Sequence, residues 1–174
     1  MSIASPRAQR RCRRLSTMPI NAPARPVVVK IGGSTLGSQD TPVGDCASAQ
    51  AEGDRLIVVH GGGSTVSAWL ERMHVPSDFV DGLRKTTAES REVVVAVLSG
   101  LVNKTLVQQF EAAGARAVGL SGADGGLVWS ELNQRGLGFA GEVSQCDAGP
   151  LMTLLAAGLM PVIAPIGLTP GGGS

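Results

Sequence analysis

Two apolar runs in this chain end in consecutive glycines, VVVKIGGST at residues 27–35 and VVHGGGSTV at residues 58–66. Glycine loses more backbone freedom on folding than any other residue. A folded chain that keeps such runs needs a partner close enough to the backbone that no side chain can stand there. The β-branched residues ahead of each run predict buried strands. After the second run, STVSAWLERM predicts a helix, with Ser64 and Thr65 as suitable N-cap types. A strand that passes through glycines into a helix presents a row of N–H groups at the positive end of the helix dipole, which suits a phosphate. Lys30, just before Gly32 and Gly33, is placed to meet charge developing on a transferred phosphoryl group. Neither run matches the Walker pattern or GxGxxG. Glycine at a strand end also serves as a tight turn or a close packing contact, so both readings stay open on the runs alone.

The remaining segments repeat the order of strand and helix. A weak helical stretch spans residues 42–52 with Gly53 as its stop, and VPSDFVDGLRKT reads as loop or short strand. The segment beginning TTAESREVVV places Thr86 and Glu89 at capping-box spacing. It predicts one long helix, or two broken near Ser99 and Gly100, closed by Gly114. ARAVGLSG reads as a third strand, GLVWSELNQRGLGFAGEV as a β-hairpin turning around residues 133–136, AGPLMTLLAAG as a helix stopped by Gly158, and LMPVIAPIG as a further strand. This order predicts an α/β fold with a mostly parallel sheet and right-handed crossovers. Both glycine runs then lie at carboxyl ends of strands, where such sheets take their ligands.

Composition removes several classes. With 43% hydrophobic and 17% charged residues in 174, the chain can bury a core of one domain, or one lobe and part of another. Aromatics are 3% and tyrosine is absent, leaving little from which to build stacking platforms for single-stranded nucleic acid. The apolar runs break before about 18 residues, so no membrane span is expected. A net charge of +1 conceals an asymmetry, since residues 1–26 hold six arginines and no acid. That leader has the composition of an organellar transit peptide. The plainer reading, an unstructured extension or a start placed upstream of Met18, is preferred. A nucleic-acid-binding arm would find no supporting basic patch in the acidic body. Cys12, Cys46 and Cys146 form no CxxC, so neither zinc nor a disulfide framework is expected, which fits a reducing cytosol. His60 and His74 lack an HExxH arrangement, and no metal site is assigned. Ser121 has no nucleophile elbow. Arg84 suits a bidentate carboxylate clamp or plain solvation, Asn103 and Lys104 suit a pocket wall or an exposed helix face, and Asp124 suits a turn.

In their order, VVVKIGG, VVHGGG, DGLR, GLVNKTLV, AVGLSGADGG, GEV and MPVIAPIG resemble the amino-acid kinase family, and within it the acetylglutamate kinases. The resemblance runs from residue 27 to about residue 168. HGGG paired with a downstream GLR sets it apart from carbamate kinases, aspartokinases and glutamate 5-kinases. GLVNK and GLSGADG also look like sister kinases that act on carrier-bound aminoadipate or glutamate.

The resemblance implies a three-layer αβα fold with a mostly parallel central sheet and a β-hairpin. It implies transfer of the γ-phosphoryl of ATP, with Mg2+, to the side-chain carboxylate of N-acetyl-L-glutamate, in a cytoplasmic homo-oligomer with no nucleic-acid or membrane partner. A glutamate carboxylate, with a pKa of about 4.3, is already ionised at neutral pH and needs no general base. Carried over residue by residue, Lys30 stabilises the transition state, and Gly32, Gly33, Gly62 and Gly63 hold the phosphoryl group. Gly62, Gly63 and Arg84 bind the substrate, Arg84 through its α-carboxylate, and Glu142 and Val143 sit in the hairpin near it. The family continues beyond GLTPGGGS into an Asn-x-Asn-Ala-Asp segment and a nucleotide-binding half. Residues 27–174 therefore correspond to the N-terminal, acylamino-acid-binding lobe, behind a leader of residues 1–26. Lys85 stands where many relatives carry valine. A non-catalytic amino-acid-binding module and a gene relic are the competing readings.

Overall fold

The structure is a computed structural model that describes residues 25–32, 42–133 and 135–170. The leader up to residue 24, Gly33 and the final GGGS lie outside the described residues. Four parallel strands form the central sheet in the order β1 (Val27–Ile31), β2 (Leu56–His60), β8 (Met160–Ala164) and β5 (Ala117–Ser121). Side chains along a strand alternate between faces, and these strands use both. Leu56 and Val58 of β2, with Met160, Val162 and Ala164 of β8, face the main core. Ile57, Val59 and Ile163 face Leu151 and Leu155 of helix α5 (Gly149–Ala156) on the other side. Helical layers thus lie on both faces of a parallel sheet, as expected from the sequence.

The thicker layer contains α1 (Val43–Glu52), α2 (Gly63–Arg72) and a continuous rod from Ala88 to Ala112. Gly53 ends α1 in the left-handed region at φ 107°. Phe110, Leu106 and Leu70 are almost wholly buried, each worth about 1.5–3 kcal/mol relative to exposure. The rod is long and apolar enough to cross a bilayer, yet its apolar stripe packs into this core.

The rod is neither an unbroken α-helix nor two helices. It comprises α3 (Ala88–Val95), a π-helical stretch (Ala96–Val102) and α4 (Asn103–Ala112). Buried Val93 and Val97 are followed by Leu98, Val102, Leu106 and Phe110, while Leu101 is exposed. One extra residue has moved the buried stripe along by one position, at the place where Ser99 and Gly100 suggested a break.

Two expected caps move. Thr87, rather than Thr86, caps α3 through a reciprocal capping box with Ser90. Thr86 is committed elsewhere, since its N–H donates to Leu137 O (3.0 Å) and its carbonyl accepts from Phe139 N (2.8 Å). Helix α2 begins at Gly63 with Gly62 as N-cap and no side-chain cap. Ser64 and Thr65 therefore lie inside the first turn.

VPSDFVDGLRKT forms a hairpin, β3 (Asp78–Val80) and β4 (Leu83–Lys85). Asp81 and Gly82 both have positive φ, 50° and 78°, the pattern of a two-residue primed turn. The second hairpin pairs β6 (Val128–Leu132) with β7 (Gly141–Cys146). Chain leaving β8 secures it, with Ser130 N–H donating to Leu168 O and Leu168 N–H to Val128 O.

Candidate active site

The first two strands bring the glycine runs side by side. Lys30 pairs in register with Val59 and Ile31 with His60, and Gly61 N–H donates to Ile31 O at 2.9 Å. Gly32 and the triad Gly61 to Gly63 therefore leave the sheet together at its carboxyl edge. Gly62 lies against the π-helical stretch, where a Cβ would meet Leu98 Cδ2 at 2.8 Å and Val102 Cγ2 at 3.2 Å. A Cβ at Gly63 would meet nothing within 4 Å. The two glycines differ in kind: a Cβ at Gly62 would press on Leu98 and Val102, and Gly63 faces open space. The first N–H groups of a helix have no partner within it, and the N-cap of α2 is a glycine with no side chain to take them, which suits an anion.

Arg84 reaches this loop from β4. Its Nη2 donates to Gly63 O (3.1 Å) and Ser67 Oγ (2.7 Å), and its Nη1 donates to Ser77 Oγ. The guanidinium also lies 4.6 Å from the ring centroid of Phe79, its cross-strand partner. Among the described residues three of its five donors are used in holding the side chain. Burial lowers the Arg84 pKa, but arginine starts so high that it stays charged at any physiological pH.

Between α2, the rod and the two hairpins lies a cleft of about 350 Å3, whose lining includes Gly63, Arg84, Leu98, Leu137, Arg135 and Glu142. Small-molecule sites begin near 300 Å3 and combine apolar walls with a few polar groups. Glu142 Oε1 accepts from Asn133 Nδ2 at 2.7 Å, which fixes the hairpin wall. Val143, next along β7, is 65% exposed and does not line the cleft.

Not every anticipated residue converges here. Lys30 is exposed at the end of β1, on the sheet face opposite buried Ile31, and it does not line the cleft. Gly33 lies outside the described residues. Asp124 accepts from Ser121 N–H (2.6 Å) and Ser121 Oγ (2.8 Å), which makes it a turn residue. Sequence reading passed over Ser67 and Ser77, which hold Arg84. Ser67 was detectable, because four residues after Gly63 it shares that helix face.

Beneath the loop, His60 is 2% exposed and Asn103 is fully buried. The His60 Nδ1 lies 2.8 Å from Gly61 O, and its Nε2 lies 3.1 Å from Asn103 Nδ2. Burial lowers the His60 pKa, partly offset by the bond to Gly61.

A mostly parallel sheet, with Gly32 and Gly61 to Gly63 at its carboxyl edge beside an arginine-bearing cleft, defines an α/β domain of the kind in which ligands sit beyond the strand ends. The chain belongs to the amino acid kinase family, whose match covers residues 25–174. It is 44% identical over 144 residues to the acetylglutamate kinase of Shouchella clausii, covering 82% of this chain and 56% of that protein. To the acetylglutamate kinase of Campylobacter curvus it is 43% identical over 143 residues, covering 80% and 51%. The chain thus spans about half the length of the curated relatives it matches. Among solved structures, smu.665 of Streptococcus mutans superposes with a TM-score of 0.79 at 26% identity, covering 85% of this chain and 61% of that one. An N-acetylglutamate synthase of Neisseria gonorrhoeae, complexed with coenzyme A and N-acetyl-glutamate, gives 0.69 at 21%, covering 85% and 35%, and shares the fold.

Proposed function

We propose that residues 27–174 form the acylamino-acid-binding lobe of an acetylglutamate kinase. The observation that carries this reading is the contact of Arg84 with Gly63 at the mouth of the cleft. It sets a carboxylate-binding cation beside a glycine loop suited to a phosphoryl group, and the relatives named acetylglutamate kinase agree with it. N-acetyl-L-glutamate carries two carboxylates. Arg84 takes the α-carboxylate with its remaining donors, and the side-chain carboxylate extends toward Gly62 and Gly63.

In the reaction an oxygen of that carboxylate attacks the γ-phosphorus of ATP, the bond to the β–γ bridging oxygen breaks, and ADP leaves. The work is positioning and charge stabilisation. Backbone donors at Gly32, Gly33, Gly62 and Gly63 hold the phosphoryl oxygens, and the Lys30 ammonium offsets the developing charge. Mg2+ arrives with ATP as part of the substrate. The same reading makes the protein a cytoplasmic homo-oligomer. Kinases of carrier-bound aminoadipate or glutamate gain no support from the relatives named above.

Calorimetric titration of the 174-residue chain with N-acetyl-L-glutamate tests the reading. Binding that Arg84→Ala abolishes supports it; absence of binding overturns it. Hydroxylamine trapping of acyl phosphate, with ATP and N-acetyl-L-glutamate, then separates a chain that catalyses from one that only binds.

A further inference from the structure

The helix, the sheet and the glycine loop meet at one buried side chain. Asn103 is the first residue after the π-helical stretch, and it is fully buried. Its Nδ2 faces three acceptors: Val162 O at 2.9 Å, His60 Nε2 at 3.1 Å and Leu120 O at 3.2 Å. Its Oδ1 faces the Lys104 ammonium at 3.1 Å, and Lys104 also donates to Gly119 O at 3.0 Å. Acceptors on one side and a cation on the other admit a single orientation of the amide. A Cβ at Gly119 would overlap Asn103 Oδ1, so β5 has no side chain where this amide rests.

The amide determines the state of His60. Asn103 Nδ2 is a donor only, so Nε2 must accept and carry no proton. Gly61 O is an acceptor only, so Nδ1 must carry one. The ring is held neutral in one tautomer, and its Nδ1–H fixes the Gly61 carbonyl toward the protein interior. In a planar trans peptide the carbonyl of one residue and the N–H of the next point in opposite directions. With the Gly61 carbonyl drawn inward and Gly61 N–H bound to Ile31 O, the Gly62 N–H points outward.

The π-helical stretch makes this placement possible. A helix turns about 100° per residue, so without the extra residue Asn103 would be rotated by that angle away from His60. Stretches of this kind occur frequently at functional sites.

We propose that Asn103, presented by the π-helical stretch, is a positioning residue that sets the glycine loop for anion binding by holding His60 in its neutral Nδ1–H form. This rests on the phosphoryl-loop reading above. Lys104 keeps Asn103 oriented, and neither residue touches the ligand.

Nitrogen NMR of the imidazole rings in the unmodified 174-residue chain is the first test. His60 should show a protonated Nδ1 and an unprotonated Nε2, unchanged between pH 7.5 and 5.5, for a ring facing only a donor at Nε2. A proton on Nε2, or ordinary titration, overturns the proposal without any variant. In Asn103→Asp the new carboxylate accepts from Nε2–H, so at a pH where the ring is neutral its proton should sit on Nε2 and the Nδ1–H bond to Gly61 O should be lost. The Gly62 amide shift on adding inorganic phosphate should then need roughly tenfold more phosphate, as for one lost hydrogen bond to a charged group. A response that survives Asn103→Asp overturns the positioning role alone. No response in the unmodified chain overturns the phosphoryl-loop reading, and the role with it.

Discussion

Arg84 Nη2 lies 3.1 Å from the carbonyl oxygen of Gly63, so the guanidinium on one hairpin is bonded to the first residue of α2. Replacement of Arg84 by lysine keeps the charge but loses the planar fork. We expect calorimetry to give a Kd for N-acetyl-L-glutamate raised about 10–100-fold in Arg84→Lys, the range of one to two charge-assisted hydrogen bonds. An unchanged Kd would remove Arg84 from the site.

Gly62 and Gly63 should respond oppositely to alanine. At Gly62 the added methyl meets Leu98 and Val102 in the core, and overpacking costs about 1–3 kcal/mol, to be read from urea unfolding. At Gly63 the methyl enters open space, so stability should hold while the phosphate response of the loop is lost. Equal destabilisation by both would contradict the packing described.

His60 makes stability depend on pH. Burial sets its folded pKa below the ordinary 6.5, so the unfolded chain binds more protons across the interval between the two values. Stability contributed by the neutral ring is complete above about pH 6.5 and is lost as the pH falls below it. The midpoint of urea unfolding should decline from pH 7.5 to 5.5, and His60→Gln should flatten that decline.

Gly82 has φ of 78° in the turn that carries β4. Gly82→Ala should destabilise the hairpin by about 1 kcal/mol, as a side chain there is strained. Because Arg84 stands two residues on, binding of N-acetyl-L-glutamate should weaken with it. A calorimetric titration that detects no change would show that the hairpin is held by its contacts with α2 instead.

The sheet was legible because its signals are local. Glycine directly follows β1, β2 and β5, and continuous apolar runs rich in β-branched residues mark β1, β2 and β8. The Asp81–Gly82 turn carried an equally local signal that the loop reading passed over. The π-helical stretch has no such signal, since Ser99 and Gly100 suit a break as well as an inserted residue. What decides between them is the fit of Leu98, Val102 and Leu106 against the sheet, which exists only once the layers are packed. The same holds for Thr86, whose backbone is claimed by Leu137 and Phe139 from some fifty residues away. Pattern alone singled out Lys30, Gly32, Gly62, Gly63 and Arg84, and of these Gly63 and Arg84 line the cleft. Asn103 and Lys104 could not be divided between pocket wall and exposed face, because only the assembled sheet supplies the three acceptors around the Asn103 amide.

Strand β8 is the last in the described chain, yet it sits between β2 and β5. Until residues 160–164 arrive, the strands formed earlier share no hydrogen bonds across that gap, and the carbonyl of Val162 is not there to hold Asn103. Pairings between distant segments form slowly, since the intervening chain must first be ordered. The ligand loop is therefore encoded early and finished late. During synthesis its glycines emerge long before the strand that lets them take shape.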